Sequence, residues 1–241
     1  NHFEQSFFCF YFTDLNPDMA KNLILITGPT ATGKTSAAIL AARHFRTEIV
    51  SADSRQIYRE LSIGTAAPSP GELAMVRHHF IHSHSIFDTY SASLYENEAL
   101  DLLNQLFRKY DNIVLTGGSM LYIDAICRGI DSMPDVDLEL RAALKDRLLN
   151  EGIESLRLQL KKLDPEYYRQ ADLKNPARIV HALEICLMTG KSYSSFRSGT
   201  NKQRPFSILK AGLDCDRALL HQRINARVDR MMEKGLEAEA K

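Results

Sequence analysis

The strongest patterned signal is a continuous apolar run, Asn22–Thr27 (NLILIT), with no polar alternation inside it. A strand that is apolar on both faces belongs in the middle of a parallel sheet with layers above and below it. A Gly-rich turn follows, and Thr35–His44 has the composition of a helix. Glu48–Ser51 predicts a second short strand, and Asn112–Thr116 (NIVLT) another buried one, closed by Gly117-Gly118. Between them, Ser91–Tyr110 sets Leu94, Leu102, Leu103, Leu106 and Phe107 at helical spacing. Strand–helix–strand alternation predicts an α/β fold with a doubly wound parallel sheet.

The pattern changes after Gly129. Leu138–Asn150, Ile153–Leu163 and Arg178–Thr189 carry helical periodicity, punctuated by Gly152 and Asp164-Pro165, with no strand pattern among them. Strand character returns at Phe206–Leu213, and Asp216 is placed to cap a charged helix over Arg217–Lys234. The organisation expected is a catalytic core of residues 19–130 and 203–241, interrupted by a small helical insertion over 131–202. Met19 stands just before the first strand, so residues 1–18 are read as an extension outside the fold.

Composition changes this picture in two respects. The 241 residues hold 30 Lys+Arg and 30 Asp+Glu, but residues 1–140 have ten basic against 17 acidic side chains and residues 141–241 have 20 against 13. A basic second half suits a polyanionic partner such as RNA, although a solvated charged helix surface would produce the same asymmetry. Cys9, Cys127, Cys186 and Cys215 form no CxxC pair, which argues against a zinc site or disulfide framework and fits a reducing cytoplasm. No apolar run is long enough to span a membrane, and Phe7–Phe12 lacks the basic flank of a secretory signal.

Candidate chemistry begins at Gly28-Pro29-Thr30-Ala31-Thr32-Gly33-Lys34-Thr35, a full GxxxxGK[ST] match between a strand and a helix. Its backbone N–H groups and the helix N-terminus cradle phosphate, Lys34 neutralises charge, and the Thr35 hydroxyl suits Mg²⁺. The motif announces a phosphorylated ligand without naming it. Asp53, just beyond the second strand, has three readings: a magnesium ligand, a general base beside the phosphates, or a cap. Arg223 and Arg227 share a helix face, where ion pairing is the ordinary role. His78, His79, His82 and His84 lack a carboxylate or cysteine at zinc spacing.

Seven ordered blocks narrow the reading: GPTATGKT, SADSRQIY (Ser51–Tyr58), IGTAAP (Ile63–Pro68), TGGSMLY (Thr116–Tyr122), NPARIVHALEI (Asn175–Ile185), TGKSYS (Thr189–Ser194) and HQRINARVDRMMEKGLEAE (His221–Glu239). In order and spacing the chain resembles the tRNA dimethylallyltransferases over residues 22–239. The resemblance implies a P-loop NTPase-like core that holds dimethylallyl diphosphate with Mg²⁺ rather than using ATP as a phosphoryl donor. It implies transfer of the dimethylallyl group to N6 of the adenine 3′ of the anticodon, in tRNAs that read codons beginning with U. It maps the general base onto Asp53 and a diphosphate-binding arginine onto Arg227, beside Lys34 and Thr35. It maps tRNA contacts onto Asp53, Ser54, Arg55, Gln56, Ser119, Arg141 and the segment Ala177, Arg178, Ile179, Val180 and His181, and it puts His78-His79 along the substrate channel. A cytoplasmic monomer gripping the anticodon stem-loop is expected. Ala67 stands where many members carry lysine, and the family's further C-terminal helices lie beyond Lys241, so a truncated chain is expected. Three other readings use the same motif: an adenylate prenyltransferase acting on AMP, a small-molecule kinase, and a non-catalytic RNA-binding fragment. The absence of an acidic residue after Asn112–Thr116 weighs against the kinase.

Overall fold

The apolar runs Asn22–Thr27 and Asn112–Thr116 lie side by side inside one five-stranded sheet, covered on both faces as their lack of alternation requires; its edge at His78–His79 is a strand that no apolar pattern predicts. The structure is a computed structural model that describes residues 20–131, 133–134, 137–197, 199 and 201–241; the extension expected over residues 1–18 lies outside them. In chain order the elements are β1 (Asn22–Thr27), α1 (Lys34–His44), β2 (Ile49–Ser51), α2 (Pro70–Met75), β3 (His78–His79), α3 (Ala92–Leu106), β4 (Asn112–Thr116), α4 (Met120–Cys127), α5 (Leu138–Glu151), α6 (Ile153–Leu163), α7 (Pro165–Gln170), α8 (Pro176–Thr189), a 3-10 turn at Tyr193–Phe196, β5 (Ser207–Gly212), α9 (Arg217–Glu233) and α10 (Leu236–Ala240).

The strands lie in the order β3-β2-β4-β1-β5, and every pairing is parallel. Successive residues of each central strand enter opposite cores. Leu23, Leu25, Val50, Ile113 and Leu115 pack with α3 and α4, while Ile26, Ile49 and Val114 pack with Ala38, Ile39 and Ala42 of α1. This is the doubly wound arrangement anticipated above. One expectation shifts at α3. Its buried face runs through Tyr95, Glu96, Ala99, Leu103 and Leu106, and Leu94 is exposed. The 4-4-3 spacing of Tyr95, Ala99, Leu103 and Leu106 defines a stripe from which Leu94 is displaced by one position.

The described residues up to Gly129, together with Lys202–Lys241, form one compact unit; Ile130–Asn201 form another. Within the first, the chain's exit and return are tied together. Lys202 N donates to Arg128 O at 2.7 Å, and the buried Glu96 of α3 receives Lys202 Nζ at 3.0 Å and Arg204 Nη2 at 2.8 Å. The second unit is all helical among its described residues. Its core is built from Leu144, Leu156, Leu160, Tyr167, Ile179 and Leu183. Asp164, almost fully buried, is satisfied by Tyr167 N, Ser194 N and Ser194 Oγ. Among the described residues no helix is long and apolar enough to cross a membrane.

Candidate active site

The turn from β1 into α1 is shaped by backbone crowding before any ligand enters. Gly28 has φ +149, and a Cβ there would sit 2.4 Å from the Leu213 carbonyl oxygen, so only glycine passes under the end of β5. Lys34, the first residue of α1, folds its Nζ back onto Gly28 O (2.8 Å) and Pro29 O (2.7 Å). Thr32 Oγ1 also donates to Pro29 O, at 2.8 Å. Arg227 of α9 reaches the same turn from the far end of the chain, donating through Nη1 to Thr30 Oγ1 at 2.9 Å and through Nη2 to Thr65 O at 3.4 Å.

Both cations are short of compensation. Burial pushes the Lys34 pKa down, Arg227 pushes it further, and Asp53 only opposes them. Burial likewise lowers Arg227, against the pull of Asp53 and with the push of Arg230. Two desolvated cations against one carboxylate make a site in which a polyanion relieves both the burial cost and the mutual repulsion.

Asp53 follows β2. Its Oδ1 accepts from Arg55 N (3.0 Å) and Gln56 N (3.3 Å), which bears out the capping reading and leaves Oδ2 outside that cap. It lines a cleft with Lys34, Thr35, Gln56, His78 and Gly117. Gly117 is required there, because a Cβ would fall 2.1 Å from Ala52 O. Ser54 N and Oγ both bond Ser119 Oγ, at 2.8 and 2.9 Å, which ties the turn after β2 to the turn after β4. Gln56 Nε2 donates to Thr65 O and Ala66 O, each at 3.2 Å.

The structure therefore brings Gly28–Thr35, Asp53, Gln56 and Arg227 together. It also contributes the Thr65 carbonyl, which no side-chain pattern could announce because a backbone oxygen has no signature in sequence. Thr35 shares the cleft with Asp53, but among the described residues no three His, Cys, Asp or Glu side chains cluster to cage a metal. The histidines disperse: His78 Nδ1 to Val76 O, His79 Nε2 to Glu48, and His82 Nε2 to Ser62 Oγ.

In the helical unit the expectations need correction. Ile179 and Val180 are core residues, 0% and 5% exposed, so their side chains have no face to offer RNA. They follow the buried stripe of α8 while Ala177 and Arg178 lie outside, at its exposed start. Arg141 is engaged too: Nε and Nη2 grip Glu184 Oε1 and Oε2 at 2.5 and 2.8 Å, and Glu184 is fully buried. His181 Nδ1 stands 3.4 Å from the same carboxylate.

A family model described as IPP transferase matches residues 56–241. The chain is 54% identical over 222 residues to tRNA dimethylallyltransferase 1 of Bacteroides fragilis (strain YCH46), covering 92% of this chain and 74% of that protein. It is 55% identical over 214 residues to tRNA dimethylallyltransferase 1 of Bacteroides thetaiotaomicron, covering 89% and 70%. Among solved structures, the full-length tRNA isopentenylpyrophosphate transferase of Bacillus halodurans aligns with TM-score 0.60 at 31% identity, covering 91% of this chain and 69% of that one. A eukaryotic dimethylallyltransferase acting on tRNA shares the fold, with TM-score 0.74 at 24% identity over 91% of this chain and 55% of that one.

Proposed function

This chain belongs to the IPP transferase family, and from that premise we propose that it moves a dimethylallyl group from dimethylallyl diphosphate to N6 of an adenine in tRNA. The adenine intended is the one 3′ of the anticodon in tRNAs that read codons beginning with U. The observation that carries the reading is a pair of under-compensated cations at one turn: Lys34, which lines a cleft with Asp53, and Arg227, which reaches the same Gly28–Thr35 turn through Thr30.

The roles follow from the chemistry. An adenine N6 lone pair is delocalised into the ring and is a weak nucleophile. Asp53 accepts an N6–H as the new C–N bond forms, restoring that nucleophilicity. The allylic C–O bond breaks and diphosphate leaves with the electron pair. Lys34, Arg227 and the backbone N–H groups of Gly28–Thr35 bind the departing anion. The donor set fits Mg²⁺, which needs few protein ligands when phosphate oxygens and water supply the rest. Thr35 would hold it, and the ion would add neutralising charge at the diphosphate. An adenine must leave its stack to reach such a cleft. Ser54, Arg55, Gln56 and Ser119 are assigned to the flanking nucleotides. In the helical unit Ala177, Arg178 and His181 are assigned to RNA phosphates.

The test is incubation with dimethylallyl diphosphate, Mg²⁺ and an anticodon stem-loop, with AMP in parallel, followed by nucleoside mass analysis. A dimethylallyl mass increment on one adenine of the stem-loop is expected. Modification of AMP in preference to RNA would replace this reading with the adenylate prenyltransferase.

A further inference from the structure

The short turn after Asp53 is held by a carboxylate from the far end of the chain. Ser62 N and Ile63 N donate to Glu239 Oε2 at 2.8 and 2.7 Å, and Gly64 N donates to Oε1 at 2.7 Å. Three successive backbone donors on one carboxylate form a compact, charge-assisted clamp. Leu236, one helical turn before Glu239 on α10, lies against Gly64, where even a Cβ would meet Leu236 Cδ1 at 3.0 Å. Burial by itself raises the Glu239 pKa, but the N–H groups of Ile63, Gly64 and Ser62, with His82 adding its charge, hold it below the ordinary carboxylate range. Glu239 is therefore ionised at neutral pH.

The clamped turn then acts on the site. Its Thr65 carbonyl receives both the Arg227 guanidinium and the Gln56 amide, and its Ala66 carbonyl receives Gln56 again. Arg227 and Glu239 reach this turn from the two sides of the α9–α10 corner, where Gly235 has φ +95. Among the described residues Arg227 has no carboxylate within ion-pairing distance; its hydrogen bonds there go to a hydroxyl and this one carbonyl.

We infer that Glu239 is a positioning residue for the reaction: its carboxylate fixes the Ser62–Ala66 turn so that the Thr65 carbonyl aims Arg227 at the diphosphate. The inference rests on the diphosphate reading of the cradle. Glu239→Gln preserves shape but turns one accepting oxygen into a donor facing an N–H, so the clamp opens.

The experiment measures inorganic pyrophosphate binding with Mg²⁺ by calorimetry, and prenyl transfer with each substrate varied. It uses the wild type, Glu239→Gln, Arg227→Ala and the double variant. Glu239→Gln is expected to weaken pyrophosphate binding about tenfold, roughly one misdirected charge-assisted contact. The KM for dimethylallyl diphosphate should rise with it, and the KM for RNA should stay put. The double variant should bind no more weakly than Arg227→Ala alone, because the two residues act through one contact. Additive losses, or pyrophosphate binding equal to wild type, would overturn the inference. A wild type that binds no pyrophosphate would overturn the diphosphate reading itself, and the inference with it. If Glu239→Gln lowers the melting temperature substantially, Leu236→Ala loosens α10 with the charge in place. It should weaken pyrophosphate binding in the same direction by a smaller factor, and no weakening would count against the role.

Discussion

At the scale of single residues, Lys34 and Asp53 sit in the same cleft and do opposite electrostatic work. Lys34 Nζ rests on two carbonyl oxygens of its own loop, contacts for which the phosphate proposed to bind there would substitute a stronger charged partner. Lys34→Ala removes a charge-assisted contact of about 1.5–3 kcal/mol. Pyrophosphate affinity and prenyl transfer should both fall at least tenfold, as calorimetry and product mass will show. Asp53→Asn keeps the cap on Arg55 N and Gln56 N but loses the proton acceptor. Single-turnover transfer should drop roughly 10²–10⁴-fold while stem-loop binding is largely kept. Loss of binding in step with rate would make Asp53 a positioning residue instead.

At the scale of elements, the short edge strand β3 depends on polar ties as much as on its ladder. Glu48, entering β2, accepts from His79 Nε2 at 2.5 Å and from Tyr110 OH at 3.1 Å. Burial raises its pKa, but these bonds and the nearby Arg77 charge together hold it below the ordinary glutamate value. A depressed carboxylate contributes stability above its unfolded pKa and loses it as pH falls through the folded value. Glu48→Gln should therefore melt below wild type near neutral pH, with the difference shrinking once pH falls below the ordinary glutamate value and on through the lowered folded one. A difference independent of pH would assign the effect to shape alone. The short helices escaped the sequence reading, though not for want of signals in every case. Ser69 and Glu72 form a complete capping box around Pro70, a signature that the sequence displays openly. Asp164-Pro165, which punctuates the helical pattern, is the cap and first residue of α7. By contrast α4 is apolar around nearly its whole circumference, with Tyr122, Ile123, Ala125 and Ile126 all buried, so no period marks it.

At the scale of the whole molecule, charge is carried unevenly, and in the helical unit some of it is structural. Arg141→Ala would leave the buried Glu184 carboxylate without its bidentate partner. The cost should be about 3 kcal/mol, toward the low end for a broken buried pair because Arg141 is partly exposed. Thermal unfolding should reveal it before any RNA is added. The double change Arg141→Leu with Glu184→Leu should recover most of that loss. Arg178, exposed at the start of α8, is free of such duty. Arg178→Ala should leave melting unchanged and reduce the slope of log affinity against log salt for an anticodon stem-loop by about one. An unchanged slope would remove Arg178 from the RNA surface.

What the sequence by itself determined is whatever local physics dictates. The apolar runs became β1 and β4 because a strand covered on both faces cannot alternate, and the GxxxxGK[ST] turn formed where Gly28 alone clears the neighbouring strand. Asp216 caps α9 through Ala218 N and Leu219 N as its residue type and position require. Tertiary structure alone decided which distant groups meet. Arg227 lies on Thr30, Glu239 clamps Ser62–Gly64, and Arg141 serves Glu184 instead of standing free. These contacts join residues from 43 to 197 positions apart. No local period or propensity encodes such pairings, because they are selected by packing the whole chain at once.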